Sequence, residues 1–200
     1  MAIDMVMMFI KDGTPVDAGS LAEINPNDEF FRGFVAGKFF DIDSFEMGIN
    51  LVDQDTTLAT KKEDKEKGGR FSKWVQNIMP VVQPGSRLFP LEMEPVSFSR
   101  KMDNFSPLLF QLCFKTKTFD QVSVVKRQVF HKADAGVSLP FLRVDFKQVL
   151  VTALDWDIEE EVKEKCKFVC RSVAVKFRPQ KQRGTPGATI GGEELKISEK

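Results

Sequence analysis

Between Lys38 and Leu51 the apolar positions change parity. Phe40 and Ile42 alternate with Phe39, Asp41 and Asp43, and then Phe45, Met47, Ile49 and Leu51 take over the apolar places. Side chains on a strand alternate between its two faces. A change of parity would therefore turn the apolar set out into water unless the backbone bulges or bends near Ser44-Phe45. Sharply bent strands of this kind are what a small closed barrel requires.

Other segments agree with a β-rich fold. Ile3 to Ile10 is almost wholly apolar and too short for an independent helix, which predicts a strand buried on both faces. Asp12-Gly13-Thr14-Pro15 and Asn25-Pro26-Asn27-Asp28 read as turns, and residues 16 to 37 as a long loop with some local structure. Val96 to Met102 reads as a strand with Val96, Phe98, Arg100 and Met102 on one side. Phe119 to Phe130 is a strand, Lys132 to Gly136 a hairpin turn, and Val137 to Asp155 a long extended run with Pro140 near its start. Glu159 to Lys165 reads as a polar turn and Lys167 to Phe177 as a last strand. The one clear helix starts with Ser106 as N-cap and Pro107 in the first helical position, and Leu108, Leu109, Leu112 and Cys113 give it an apolar stripe.

These elements predict a mostly β fold: a small closed β-barrel of six to seven antiparallel strands, with one short flanking α-helix and long loops. The barrel domain spans residues 1–178 and carries a long inserted loop at 53–90, where Lys61 to Arg70 is a charged, solvated run. From Pro179 the composition turns to Gly, Pro, Thr and Lys, so residues 179–200 are expected to form a flexible tail.

Composition narrows the function. The chain has 19 Phe and no Tyr, so its core or interfaces are filled by aromatic area without hydroxyl handles. Basic and acidic residues balance at 29 each, which argues against a nucleic-acid binder. No apolar run approaches the ~20 residues of a membrane span, so membrane insertion is not expected. The opening Met1-Ala2-Ile3-Asp4 has no positively charged, apolar signal pattern. The expectation is a protein made in the cytoplasm that leaves the cell, if it does, without a cleaved signal.

Residues that carry catalysis are scarce. The single His, His131, sits beside a turn, a usual place for an exposed His, and no nucleophile–base pair is apparent. Asp155, Asp157 and Glu159 to Glu161 read as a solvated acidic face. Cys113, Cys166 and Cys170 are an odd set without further ligands nearby, and read as small buried hydrophobes rather than a metal site or disulfide framework. Asn104-Phe105-Ser106 matches a glycosylation sequon by chance, since Pro follows it and a helix begins there. No catalytic, cofactor-binding or metal-binding residues are assigned.

Three stretches carry a resemblance to a known family: Ala2-Ile3-Asp4-Met5 with its apolar strand, Val96 to Leu109 with its Lys101-Met102-Asp103 and Ser106-Pro107 elements, and Phe141 to Ala153 ending in Val149-Leu150-Val151. Arg178-Pro179-Gln180-Lys181 adds a similar ending, and Phe45 to Ile49 lies where the family shows a Trp-Gly element, with Met47 in place of the aromatic. Together they resemble the haemolysin-coregulated protein (Hcp) family, the inner-tube protein of type VI secretion systems. The segments 16–37 and 53–90 are longer than is typical of it.

The resemblance implies a barrel with one flanking helix, six copies closed into a ring, and rings stacked into a secreted tube that carries effectors. It implies partners in the secretion spike, sheath and baseplate, and no cofactor. The 53–90 loop, with Phe71, Trp74, Val75 and Ile78 as anchors, is then the candidate for ring-to-ring contact; these residues alternatively cover the barrel of their own subunit. Two other functions remain open: a monomeric or dimeric barrel carrying a small apolar ligand, and an effector built on the tube protein, for which the 23 residues after Phe177 leave little room.

Overall fold

The computed structural model describes residues 2–20, 22–51, 91–130, 137–157, 162–179 and 186–197. Along the chain run β1 (Ala2–Lys11), β2 (Thr14–Pro15), a 3-10 turn (Glu29–Phe31), β3 (Phe40–Asp41), β4 (Ser44–Glu46), β5 (Ile49–Leu51), β6 (Leu91–Met93) and β7 (Val96–Lys101). Then come the helix α1 (Ser106–Phe114), β8 (Thr118–Phe130), β9 (Val137–Asp157), β10 (Lys163–Val169), β11 (Ser172–Phe177) and β12 (Ile190–Lys196). The chain divides into two units, Met1–Gly48 with Met93–Lys200, and Ile49–Glu92. In the smaller unit the described residues belong to β5 and to β6, which pair as a two-stranded ribbon.

In the larger unit β1, β8, β9, β10, β7 and β4 lie side by side in that order, every neighbour antiparallel. Residues 40–46 close the circuit. β3 pairs with β1, placing Phe40 opposite Met7 and Asp41 opposite Val6. The Ile42 N–H then donates to the Met5 carbonyl at 3.0 Å and the Asp43 N–H to the Ser99 carbonyl at 2.8 Å. β4 continues along β7, with Phe45 opposite Phe98. The parity change near Ser44-Phe45 is therefore a crossing: Phe40 and Ile42 face the core beside β1, and Phe45 faces it beside β7.

β9 is long enough to serve two partners on one edge, β10 along Leu150–Asp157 and β11 along Leu142–Lys147. Here two expectations are corrected. The last strand, expected as one run from Lys167 to Phe177, is broken at Cys170-Arg171, and the break reverses which parity faces inward. Cys166 and Phe168 are buried in β10, and Val173 in β11. Lys163 to Lys165, expected in a polar turn, already belong to β10, and Glu164 among them is fully buried. Its partner is Arg100, a residue 64 positions away that no local pattern reveals.

The expected flexible tail also needs correction at residues 190–196, which form β12 against β11. Gly191 and Gly192 hold φ values of +89° and +103°, and a Cβ on Gly191 would lie 2.4 Å from the Val175 carbonyl oxygen. The glycines that suggest a loose chain are thus what lets this strand bulge and pass close to its neighbour.

Two apolar layers cover the two faces of β1 and β8. Inside the barrel, Phe9 lies against the rings of Phe40, Phe98, Phe105 and Phe119, and Phe146 meets Phe168 edge-on at 5.1 Å. Outside, Phe30, Phe31, Phe34 and Phe39 pack over Val6, Met8 and Val125. β1 is thus buried on both faces, as its unbroken apolar run predicts. The segment 16–37, expected as a long loop with some local structure, supplies most of this second layer and carries the 3-10 turn. Three arginines hold it. Arg143 donates to the carbonyls of Phe30 (3.0 Å) and Arg32 (2.8 Å), Arg127 to both Asp4 oxygens and the Glu23 carbonyl, and Arg178 to both Asp28 oxygens.

Candidate functional site

α1 begins over a buried polar cluster. Pro107 sits in its first turn as expected, but the N-cap is Phe105, and the Ser106 hydroxyl is used differently. It accepts from the Asp103 N–H (3.1 Å) and from Arg100 Nη2 (3.0 Å). Arg100 is fully buried, pairs through Nε with the equally buried Glu164, and reaches Asp103 through Nη1 at 2.7 Å. Its guanidinium lies 4.2 Å from the centre of the Phe40 ring. Trp156 Nε1 donates to the second Glu164 oxygen at 3.3 Å, which draws the end of β9 into the same cluster.

The helix fixed in this way exposes much of its apolar surface. Leu109 and Leu112 are buried against the barrel, whereas Leu108, expected in the buried stripe, is 37% exposed. Phe110 is 49% and Phe114 82% exposed. Phe110 lies 5.2 Å from the exposed Trp156 ring, so the helix and the end of β9 form one aromatic patch. A helix that is apolar nearly all round is normally covered on all sides. An uncovered face of this kind marks an interaction surface. Lys115 and Lys117, both exposed, follow the patch.

A second apolar strip lies on the β11–β12 ribbon. Phe177 is paired with Ile190, and Val173 with Leu195, so these side chains share faces in pairs. Val173 is buried in the barrel core, while Phe177, Ile190 and Leu195 are 44%, 62% and 49% exposed. The ribbon is held mainly by main-chain pairing and carboxylate contacts. Glu194 accepts from Lys147 and from the Ser172 hydroxyl, and these bonds hold its carboxyl below the usual range. Glu29 accepts from the Thr189 hydroxyl and from Arg178, with the same effect. A carboxylate with a lowered folded-state pKa stabilises the fold above its ordinary value of 4.5 and loses that contribution as the pH falls through the lowered value. Amide exchange in β12, relative to β8 in the same sample, should therefore accelerate as the pH drops below 4.5. A constant ratio would show that these contacts do not hold the strand.

Phe71, Trp74, Val75 and Ile78, the sequence candidates for ring stacking, lie outside the described residues, as does His131. The acidic face is described only at Asp155 and Asp157, which stand opposite Lys165 and Lys163 across the β9–β10 pair. Among the described residues no group of three or more His, Cys, Asp or Glu is placed to hold a metal, and no helix is long and apolar enough to cross a membrane. Burial pushes the Cys166 thiol up, and that of Cys170 up to about 11, so both stay protonated and unreactive at neutral pH. Sequence reasoning missed Phe110, Phe114 and Trp156. The signal available was a helix with apolar residues on more than one face.

A family model described as type VI secretion system effector, Hcp, matches residues 79–181 of the 200. Among solved structures, one described as a type six secretion system protein is 17% identical with a TM-score of 0.64, over 98% of this chain and 96% of its own. Hcp1 from Salmonella typhimurium is 18% identical with a TM-score of 0.57, over 98% of this chain and 100% of its own. The secreted protein Hcp3 from Pseudomonas aeruginosa is 12% identical with a TM-score of 0.54, over 99% and 100%. At these identities the likeness to the solved structures is one of fold. No curated protein matches the chain.

Proposed function

The chain belongs to the Hcp family of type VI secretion proteins, and we propose that it is a structural subunit of the inner tube, closing into rings of six that stack and carry effectors out of the cell. The family is a structural, secreted one, and the chain is not an enzyme. The observation that carries the assembly reading is the uncovered aromatic face of α1 with Trp156. A monomer keeping Phe114 82% exposed would be prone to aggregate, whereas a closed ring covers the same patch in every copy. The barrel interior, occupied by packed Phe rings, favours this over a carrier of a small apolar ligand.

On this reading the tube subunit is made in the cytoplasm and leaves without a cleaved signal, and the spike, sheath and baseplate of the machine are its further partners. Phe71, Trp74, Val75 and Ile78 in the 53–90 insertion remain the proposed ring-to-ring anchors. Stacking needs only modest contacts per subunit, since six copies act together.

The test is size-exclusion chromatography with light scattering on Phe114→Asp. The side chain is almost wholly in water, so the monomer should fold normally, yet a charge in a covered aromatic contact should shift the protein from rings to monomers. Unchanged rings would remove α1 as the assembly surface.

A further inference from the structure

β12 is fastened to the barrel with almost no buried surface. Among the described residues it pairs with β11 alone. Every residue of the strand except Gly192 is exposed, its two apolar ones, Ile190 and Leu195, included. Burial of apolar area, the main force that holds a strand in place, therefore contributes little here. Gly191 and Gly192, at φ +89° and +103°, add to the cost of ordering it, because glycine loses more chain freedom than any other residue. What remains is main-chain pairing and a few bonds at either end. Ahead of the strand, the Thr189 hydroxyl donates to Glu29, and the Gly187 N–H donates to the Pro179 carbonyl at 2.7 Å. Towards its far end, Glu194 accepts from Lys147 and Ser172, and the Ile197 N–H donates to the Arg171 carbonyl at 2.8 Å. The Glu29 and Glu194 side chains are 51% and 37% exposed, so their ion pairs are of the weak, solvated kind.

We infer that β12 is a latch strand, which opens and closes over the edge of β11 while the barrel stays folded. Segments with few buried apolar contacts and solvent-exposed hydrogen bonds open locally at far less cost than a core element. β8 is the contrast within the same sheet: Phe119, Val122, Val124 and Val125 are buried, and the strand is paired with β1 on one edge and β9 on the other. β11 stays in place when β12 leaves, since its other edge pairs with β9 along Leu142–Lys147 and Val173 is buried in the core. Opening uncovers the β12-facing edge of β11 from Ser172 to Phe177, a row of main-chain donors and acceptors that β12 guards when closed. It also releases Lys147 and the Ser172 hydroxyl from Glu194. The latch is a property of the single chain and does not depend on ring closure.

Native-state hydrogen exchange on the full chain, followed amide by amide at urea concentrations below unfolding, tests the latch. The Ile197 amide and the β12 amides bonded to β11 should exchange on the order of a hundred-fold faster than the β8 amides. Their rates should hardly respond to urea, because lifting a strand that is already exposed uncovers little new surface, whereas the β8 rates should climb steeply. Gly192→Ala supplies the second arm. A Cβ there meets only the flexible end of Lys176, at 3.0 Å, so the strain lies in the left-handed backbone of β12 itself. The variant should speed β12 exchange on the order of ten-fold and leave β8 unchanged. Two results would overturn the latch: β12 and β8 amides following one urea dependence, or Gly192→Ala accelerating both strands equally. Either would place β12 in the barrel's own cooperative unit.

Discussion

Arg100→Ala is expected to destabilise the subunit by about 3–5 kcal/mol, a large fraction of the roughly 5–15 kcal/mol that holds a domain folded. The loss has a specific cause. Arg100 and Glu164 are both fully buried, so removing the guanidinium strands a carboxylate in the barrel core. It also frees the Ser106 hydroxyl and Asp103, which orient the first turn of α1, and takes the cation from the face of Phe40. A second variant separates the stranded charge from the lost packing. Arg100→Met with Glu164→Leu removes both charges while keeping volume, and should be closer to the parent than Arg100→Ala. Urea denaturation in a Phe114→Asp background keeps assembly out of the measurement. If the double replacement is as damaging as Arg100→Ala, the cluster acts through geometry rather than charge pairing.

Phe9→Ala should cost a similar amount, about 3–5 kcal/mol, for an apolar reason. Phe9 is 1% exposed and lies at the meeting point of four rings, those of Phe40, Phe98, Phe105 and Phe119, which come from β3, β7, the start of α1 and β8. The rings are held by different elements, so they are not free to collapse together into the space a truncation leaves. The same urea experiment reads this loss. Phe9→Leu, which fills more of the site, should recover part of it. A loss below about 1 kcal/mol for Phe9→Ala would mean that the barrel centre repacks freely, unlike a close-packed core.

What the sequence reveals of this fold follows from how local each signal is. The apolar run of β1, the alternation of β7 and the Ser106-Pro107 start of α1 are set by neighbouring residues, and the elements lie where those residues predict them. The parity change near Ser44-Phe45 was legible as a bend, although not as the crossing that closes the sheet, because its partners Met5 and Ser99 are distant in sequence. Glu164 reads as part of a polar turn for the same reason, although it is fully buried. β12 was obscured by the glycines that make it fit. The second apolar layer over β1 and β8 was hidden in a segment whose Phe residues follow no helical or strand period, since a loop pinned by Arg127, Arg143 and Arg178 needs none.

The assembly surface was the least legible part. Leu108, Leu109, Leu112 and Cys113 suggested a single buried stripe, and only the packing of α1 shows that Leu108, Phe110 and Phe114 are left outside it. The spacing of these nine residues shows apolar side chains on more than one face of α1, but not which of those faces the fold leaves in water.

Negative-stain electron microscopy of the purified protein, with light scattering on the same sample, decides whether this barrel is a ring-forming tube subunit. Rings of six with a mass near six times 22.7 kDa, alone or in stacks, are the expected result. A uniform monomer at 22.7 kDa, with the α1 face open to water and no rings at any concentration, would contradict it.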